Sequence, residues 1–284
     1  MTVLSRRAVL EQVWAGIWYL VLGFFALVLA LPLIWLVTTS LKTGAQTFLM
    51  PPKWIPDPIV WRNYSDAFLA VAFHEYFWNT IRIVFFATTG ALLTASMAAY
   101  AFARLRFPYR GPLFILVLST IMLPSIVTLI PTFIVFRTLG WIDTFLPLIV
   151  PLWFGGGAFN IFLFRQFFMT IPLELDEAAR IDGAGSLRIY WGIILPLSKP
   201  VLATIAVFAF IHNWNDFFEP LIYLQSPENW TMAIGLRGFR TLYHTEWNLM
   251  MAASTAMIMP LLVLFFLAQR YFVSGTQMSG LAGR

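Results

Sequence analysis

The sequence predicts an all-α integral membrane protein with six transmembrane helices. Three observations predict it. Of the 284 residues, 60% are hydrophobic and only 11% are charged, whereas soluble domains carry roughly 25% charged residues. A water-soluble fold of this length could not cover its surface with so few charges, so lipid must cover much of it. Six apolar stretches are each close to the roughly 20 residues that a helix needs to cross the hydrocarbon core. The 17% aromatic content suits rings placed at membrane interfaces.

The expected spans run over about 16–39, 77–102, 112–136, 145–164, 200–224 and 249–268. The first is too long for the apolar region of a cleavable signal peptide, and five more follow. Arg6 and Arg7 precede it, as arginines commonly do before a first span. The outer stretch from Leu41 to Tyr76 contains Pro51, Pro52, Pro56 and Pro58, which forbid a regular helix there and favour extended backbone. Trp54 and Trp61 are placed to lie at the membrane surface. There is no repeat of about 20–50 residues and no separate soluble domain, so residues 1–284 read as one transmembrane domain.

Lysine and arginine in the loops set the orientation. With both termini inside, the inner segments hold Arg6, Arg7, Arg104, Arg106, Arg110, Arg165, Arg180, Arg188, Lys199, Arg270 and Arg284. The outer side holds Lys42, Lys53, Arg62, Arg82, Arg137, Arg237 and Arg240. The excess is inside, so both termini are expected in the cytoplasm. The net charge of +5 comes without a dense basic run, which argues against nucleic acid as a partner.

Several chemistries are excluded. Without cysteine there is no disulfide, thiol nucleophile or thiolate metal site. His74, His212 and His244 are too far apart for a helical metal motif, so no metal site is expected. No phosphate-binding G-x-x-x-x-G-K-[ST] occurs, and Gly155-Gly156-Gly157 lacks the lysine. The three glycines read instead as a place for close helix packing or a bend in span four. The chain is therefore expected not to be an enzyme and to hold no cofactor.

The segment between spans four and five differs from the other loops. It reads Thr170-Ile171-Pro172-Leu173-Glu174-Leu175-Asp176-Glu177-Ala178-Ala179-Arg180-Ile181-Asp182-Gly183. Pro172 suits a first helical position, and Glu174, Asp176 and Glu177 complement the helix dipole. Asp176 and Arg180 are spaced to pair. Gly183 suits a left-handed stop. A short cytoplasmic helix over about 172–183 is expected. Leu175, Ala178, Ala179 and Ile181 make an apolar face too small for a helix lying in headgroups, and better suited to docking another protein.

These residues resemble a known family. Glu177-Ala178-Ala179, Gly183 after three more residues, and Ile193-x-Leu195-Pro196 after nine match the E-A-A-x3-G-x9-I-x-L-P signature of binding-protein-dependent ABC importer permeases. Asp182-Gly183-Ala184, the segment Asn213-Trp214-Asn215-Asp216-Phe217-Phe218-Glu219-Pro220-Leu221, and Gln269 through Gly275 are similar to the carbohydrate subgroup. Ser40-Leu41-Lys42-Thr43, Pro51-Pro52 and Asn63-Tyr64 resemble the maltose-transporter-type second permease. Glu219 departs from that pattern, which carries tryptophan or a similar residue there.

The resemblance implies a type I ABC importer permease fold in a prokaryotic cytoplasmic (inner) membrane. It implies that Glu177, Ala178, Ala179, Asp182 and Gly183 couple to an ABC ATPase dimer, which would hold ATP and Mg. A second related permease, an extracellular or periplasmic solute-binding protein and membrane lipid complete the implied partners. The loop from Gln225 to Trp247 would reach toward the binding protein, and the tail after Arg270 toward the ATPase.

Within span five, Asn213, Asn215, Asp216 and Glu219 are polar where polarity is costly. Two readings stand: they line the path of a hydroxyl-rich solute such as a sugar or polyol, or they hold helices together at the outer interface. On one continuous helix, Asn213 and Asp216 would share one face, and Asn215 and Glu219 another. A proton- or sodium-coupled transporter would need no docking helix, and a membrane enzyme would need a reactive constellation that is not present. A permease for another solute, such as a phosphorylated polyol, remains a third possibility.

Overall fold

A computed structural model describes the backbone of residues 2–240 and 245–281, and the side chains of 11–240 and 245–269. All regular secondary structure among the described residues is helical, with one isolated antiparallel bridge between Arg240 and Thr245 and no strand. Four helical stretches are long and apolar enough to cross a membrane: Glu11–Ser40, Phe73–Arg104, Leu146–Thr170 and Trp247–Gln269. Two further apolar segments are bent pairs. Arg110–Met122 and Ser125–Thr138 meet at 99°, and Ser186–Leu197 and Lys199–Asn215 meet at 79°.

The bends have sequence causes. Pro124 has no N–H to give the preceding turn and holds an extended conformation (φ −60°, ψ 132°) between the arms of the first pair. In the second pair, Pro200 follows the break at Ser198. The straight part of the expected fifth span is thus Lys199–Asn215, and Phe218–Tyr223 is a separate helix. A helix over Arg62–Ala70 also forms in the first outer stretch. It starts just after the proline cluster, beyond the reach of the prolines' effect on the backbone.

The chain divides into two compact units, residues 1–71 with 239–257, and residues 72–238 with 258–284. In the first unit, the motif residues around Lys42 form a buried hub. The Asn63 amide donates to the carbonyls of Ser40 (2.8 Å) and Lys42 (2.7 Å), and its oxygen accepts from Asn248 (3.3 Å). Ser40 and Tyr64 share a hydroxyl bond of 2.8 Å. Lys42 is fully buried, with its ammonium 3.8 Å from the centre of the Trp35 ring. Burial holds its pKa below the usual lysine value, and the ring face offsets part of the desolvation. Counted in sequence as a loop charge, Lys42 is therefore an internal one. Trp54 and Trp61 are exposed.

The second unit is organised by the Phe73–Arg104 helix. Ala87, Gly90, Ala91, Ala95 and Ala99 are buried along it. Small residues at this spacing let backbones approach closely. The Trp153 indole fills the space beside Gly90 and donates to the Phe86 carbonyl at 3.1 Å. Gly156 lies against the Ala91 backbone with φ +62°. All three glycines take positive φ ahead of Ala158–Thr170, and Gly156 admits the close packing expected of the triplet.

Candidate functional site

Two places in the second unit collect the residues that the sequence singled out. The first is the loop helix, Glu174–Ile181. It is shorter than expected, because Leu173 is the cap and Pro172 lies outside it. Gly183 follows with φ +80°, and its N–H bonds the Arg180 carbonyl at 3.0 Å.

The helix has an inner and an outer side. Asp176 and Ala179, three residues apart, are buried. Ala179 packs in a core cluster with Tyr100, Phe168, Ile171, Ile189 and Tyr190, drawn from the neighbouring helices. Glu177, Ala178, Ile181, Asp182 and Gly183 face outward. Two expectations are corrected here. Ala179 packs inward, whereas Ile181 is 87% exposed and enlarges the outer apolar face. Asp176 pairs with Arg104, Nε to Oδ2 at 3.8 Å, at a site buried on both sides.

Arg104 is the third correction. It reads in sequence as one of three loop arginines, yet it is buried at the end of the Phe73–Arg104 helix. Its guanidinium donates to the carbonyls of Phe168 (2.7 Å) and Ile171 (2.6 Å). These lie at the C-terminal end of Ala158–Thr170, where carbonyls lack intrahelical partners. One side chain therefore ties two long helices to the loop helix. Beside it a cavity of about 270 Å³ is lined by Arg106, Arg110, Glu177 and Arg180 as well as the buried pair.

The second place is a cavity of about 220 Å³. Asn213, Asp216 and Glu219 all line it, with His212, Thr80, Thr132, Tyr223 and Thr231. Asn215 does not; its amide bonds the Ile211 carbonyl in its own helix at 2.9 Å. Asn213 and Glu219 thus share a site, contrary to their expected separation on two faces. The reason is the break at Asp216. The Lys199–Asn215 helix stops there, and the Asp216 carboxylate accepts from the N–H groups of Phe218 (3.1 Å) and Glu219 (3.3 Å). That capping arrangement starts a new helix in a new direction. Thr80, Thr132, Tyr223 and Thr231 went unseen in the sequence. They lie far apart in sequence on different elements, so no spacing links them.

The end of this unit around Asp143 is tied down. The Asp143 carboxylate accepts from the Gln225 and Ser226 N–H groups (both 2.9 Å), from the Ser226 hydroxyl and from the Asn229 amide (3.2 Å). The Ser226 hydroxyl, then its N–H, does most to hold the carboxyl well below the usual range, at about 2. Asn79 donates to the carbonyls of Glu228 (2.7 Å) and Trp230 (3.1 Å). The part of the expected binding-protein loop over 225–230 is therefore held to two other elements. Residues 241–244 of that loop, and the side chains of the tail after Gln269, lie outside the described residues.

Comparison with known proteins agrees with these features. The family described as binding-protein-dependent transport system inner membrane component matches residues 90–277. The sn-glycerol-3-phosphate transport system permease protein UgpE of Yersinia enterocolitica is 37% identical over 257 residues, covering 88% of this chain and 91% of that protein. The protein of the same name from Brucella abortus is 35% identical over 266 residues, covering 90% and 94%. A chain of a bacterial ABC transporter involved in the import of the acidic polysaccharide alginate superposes with a TM-score of 0.82 at 26% identity, over 92% of this chain and 97% of that one. A methionine ABC transporter chain shares the fold at a TM-score of 0.50 and 17% identity, over 70% and 93%. With its several apolar helices, this chain belongs to the binding-protein-dependent transport system inner membrane components and is a multi-pass permease subunit of an ABC importer.

Proposed function

We propose that this chain forms part of the translocation path for a sugar or related polyol and couples that path to a separate ATPase. In this reading residues 1–284 act as one permease domain. Each bent pair counts as one span, giving six, with both termini in the cytoplasm, as the charge excess supports. The partners are a second related permease, an ABC ATPase dimer carrying ATP and Mg, and a solute-binding protein on the outer side.

The observation that carries the reading is the two-sided loop helix. Its inner side is held to the transmembrane bundle by Ala179 and by the Asp176–Arg104 pair. Its outer side presents Glu177, Ala178 and Ile181. A helix anchored in this way moves with the spans when something displaces it. ATPase closure would displace it, and the bundle would exchange inward-facing and outward-facing states. The cavity around Asn213, Asp216 and Glu219 supplies the acceptors that a hydroxyl-rich solute needs. The names of the relatives favour a second reading, in which the solute is a phosphorylated polyol.

Glu177→Lys tests the coupling role. Glu177 is exposed, so the variant should insert and fold normally while losing ATPase association and uptake. Normal uptake by the variant, assembled with its partner chains, would refute the assignment.

A further inference from the structure

The cavity on the path has a sign of charge. Asp216 and Glu219 both line it, and among the described residues no lysine or arginine does; His212 and Tyr223 are the other titratable groups there. Its two carboxylates, when ionised, offer acceptors only. One Asp216 oxygen is used by two backbone N–H groups. No hydrogen bond from a protein donor reaches the Glu219 carboxylate among the described residues. Thr231 is only 4% exposed, and its Oγ1 has no hydrogen-bond partner. A buried hydroxyl without a partner is uncommon and expensive, and this one lines the same cavity as the two carboxylates.

A sugar or neutral polyol brings O–H donors in number, and each can bond an ionised carboxylate strongly. A phosphorylated polyol brings a charge of about −1.5 to −2 at neutral pH and three acceptor oxygens. Beside two carboxylates and no fixed cation, it would meet like charge. Taking the importer reading as its basis, we infer that this cavity passes an uncharged polyhydroxy solute and excludes a phosphorylated one. The chain would then differ in cargo from the glycerol-phosphate permeases that it resembles.

The absence of cysteine permits a direct test on the transporter assembled with its own partner chains. Thr132→Cys places a thiol on the cavity wall. A trimethylammonium thiosulfonate should modify it at least about tenfold faster than a sulfonate thiosulfonate, after normalisation to a free thiol. Adding Asp216→Asn and Glu219→Gln should bring the ratio close to one. Equal rates in the Thr132→Cys background, or a ratio unmoved by the double change, would overturn the inference. The unmodified chain gives an independent arm, in proteoliposomes with sn-glycerol-3-phosphate as the probe. ATP-driven uptake of that probe would overturn the charge inference while leaving the importer reading intact; the inference expects no uptake above the ATP-free control. Failure of the chain to associate with any ATPase would instead refute the importer reading, and the thiol ratio would still decide the charge question.

Discussion

Replacing Arg104 with methionine removes a buried cation and leaves Asp176 without its buried partner. Both side chains are almost fully inaccessible, at 2% and 6%. Breaking a buried pair by removing one partner costs about 3–5 kcal/mol, because the remaining charge keeps its desolvation penalty without compensation. The Phe168 and Ile171 carbonyls also lose their donor, which pushes the cost toward the upper end of that range. Arg104→Met with Asp176→Leu removes both charges and leaves only the carbonyls unsatisfied, a cost of about 2 kcal/mol. The expected pattern is therefore a rescue: the double variant is more stable than the single. Thermal inactivation of the purified, assembled transporter would read it, with the single variant's midpoint lowered on the order of 10 °C. Equal midpoints for the two variants would show that Asp176 is not held as a buried charge by Arg104, and the anchored-helix argument would fail with it.

Three further variants have outcomes set by the geometry. Gly156→Ala combines a left-handed backbone with a Cβ driven into the Ala91 backbone, for a loss of about 2–4 kcal/mol. Gly183→Ala has a similar φ but open space around it, so it should cost only the backbone part, about 1–2 kcal/mol; comparing the two midpoints separates packing from strain. Asp143→Asn should cost about 1 kcal/mol at neutral pH, after allowance for the solvent near this loop. The folded-state pKa of Asp143 is depressed, from 3.8 to about 2. Its contribution is therefore complete above about 4 and is lost as pH falls through about 2. The stability gap between wild type and variant should close over that window, and a gap constant from pH 6 to pH 2.5 would refute the role given to the carboxylate.

The six apolar stretches, the loop helix and its glycine stop were legible in the sequence because each is a local property. Length, hydropathy and backbone preference act over a few residues, and so does the match of Glu177 through Pro196 to a family signature. The cavity beside Asp216 was legible only in part. Asn213, Asp216 and Glu219 stood out because polar residues are rare in an apolar run. Their meeting in one cavity depends on the chain turning at Asp216, which a continuous helical wheel cannot represent. Asn215 stood out equally and turned out to bond within its own helix.

Arg104 shows the limit most clearly. By sequence it is interchangeable with Arg106 and Arg110, all three flanking an apolar stretch. By itself the sequence determined the solvent this chain lives in, the approximate number of times it can cross it, and the family it belongs to. Tertiary structure alone decided which arginine is buried, which alanine faces inward, and which polar residues share a cavity. The physical reason is common to all three. Burial and electrostatic pairing depend on distances between segments far apart in sequence, as between Arg104 and Asp176, and those distances are set only when the helices pack.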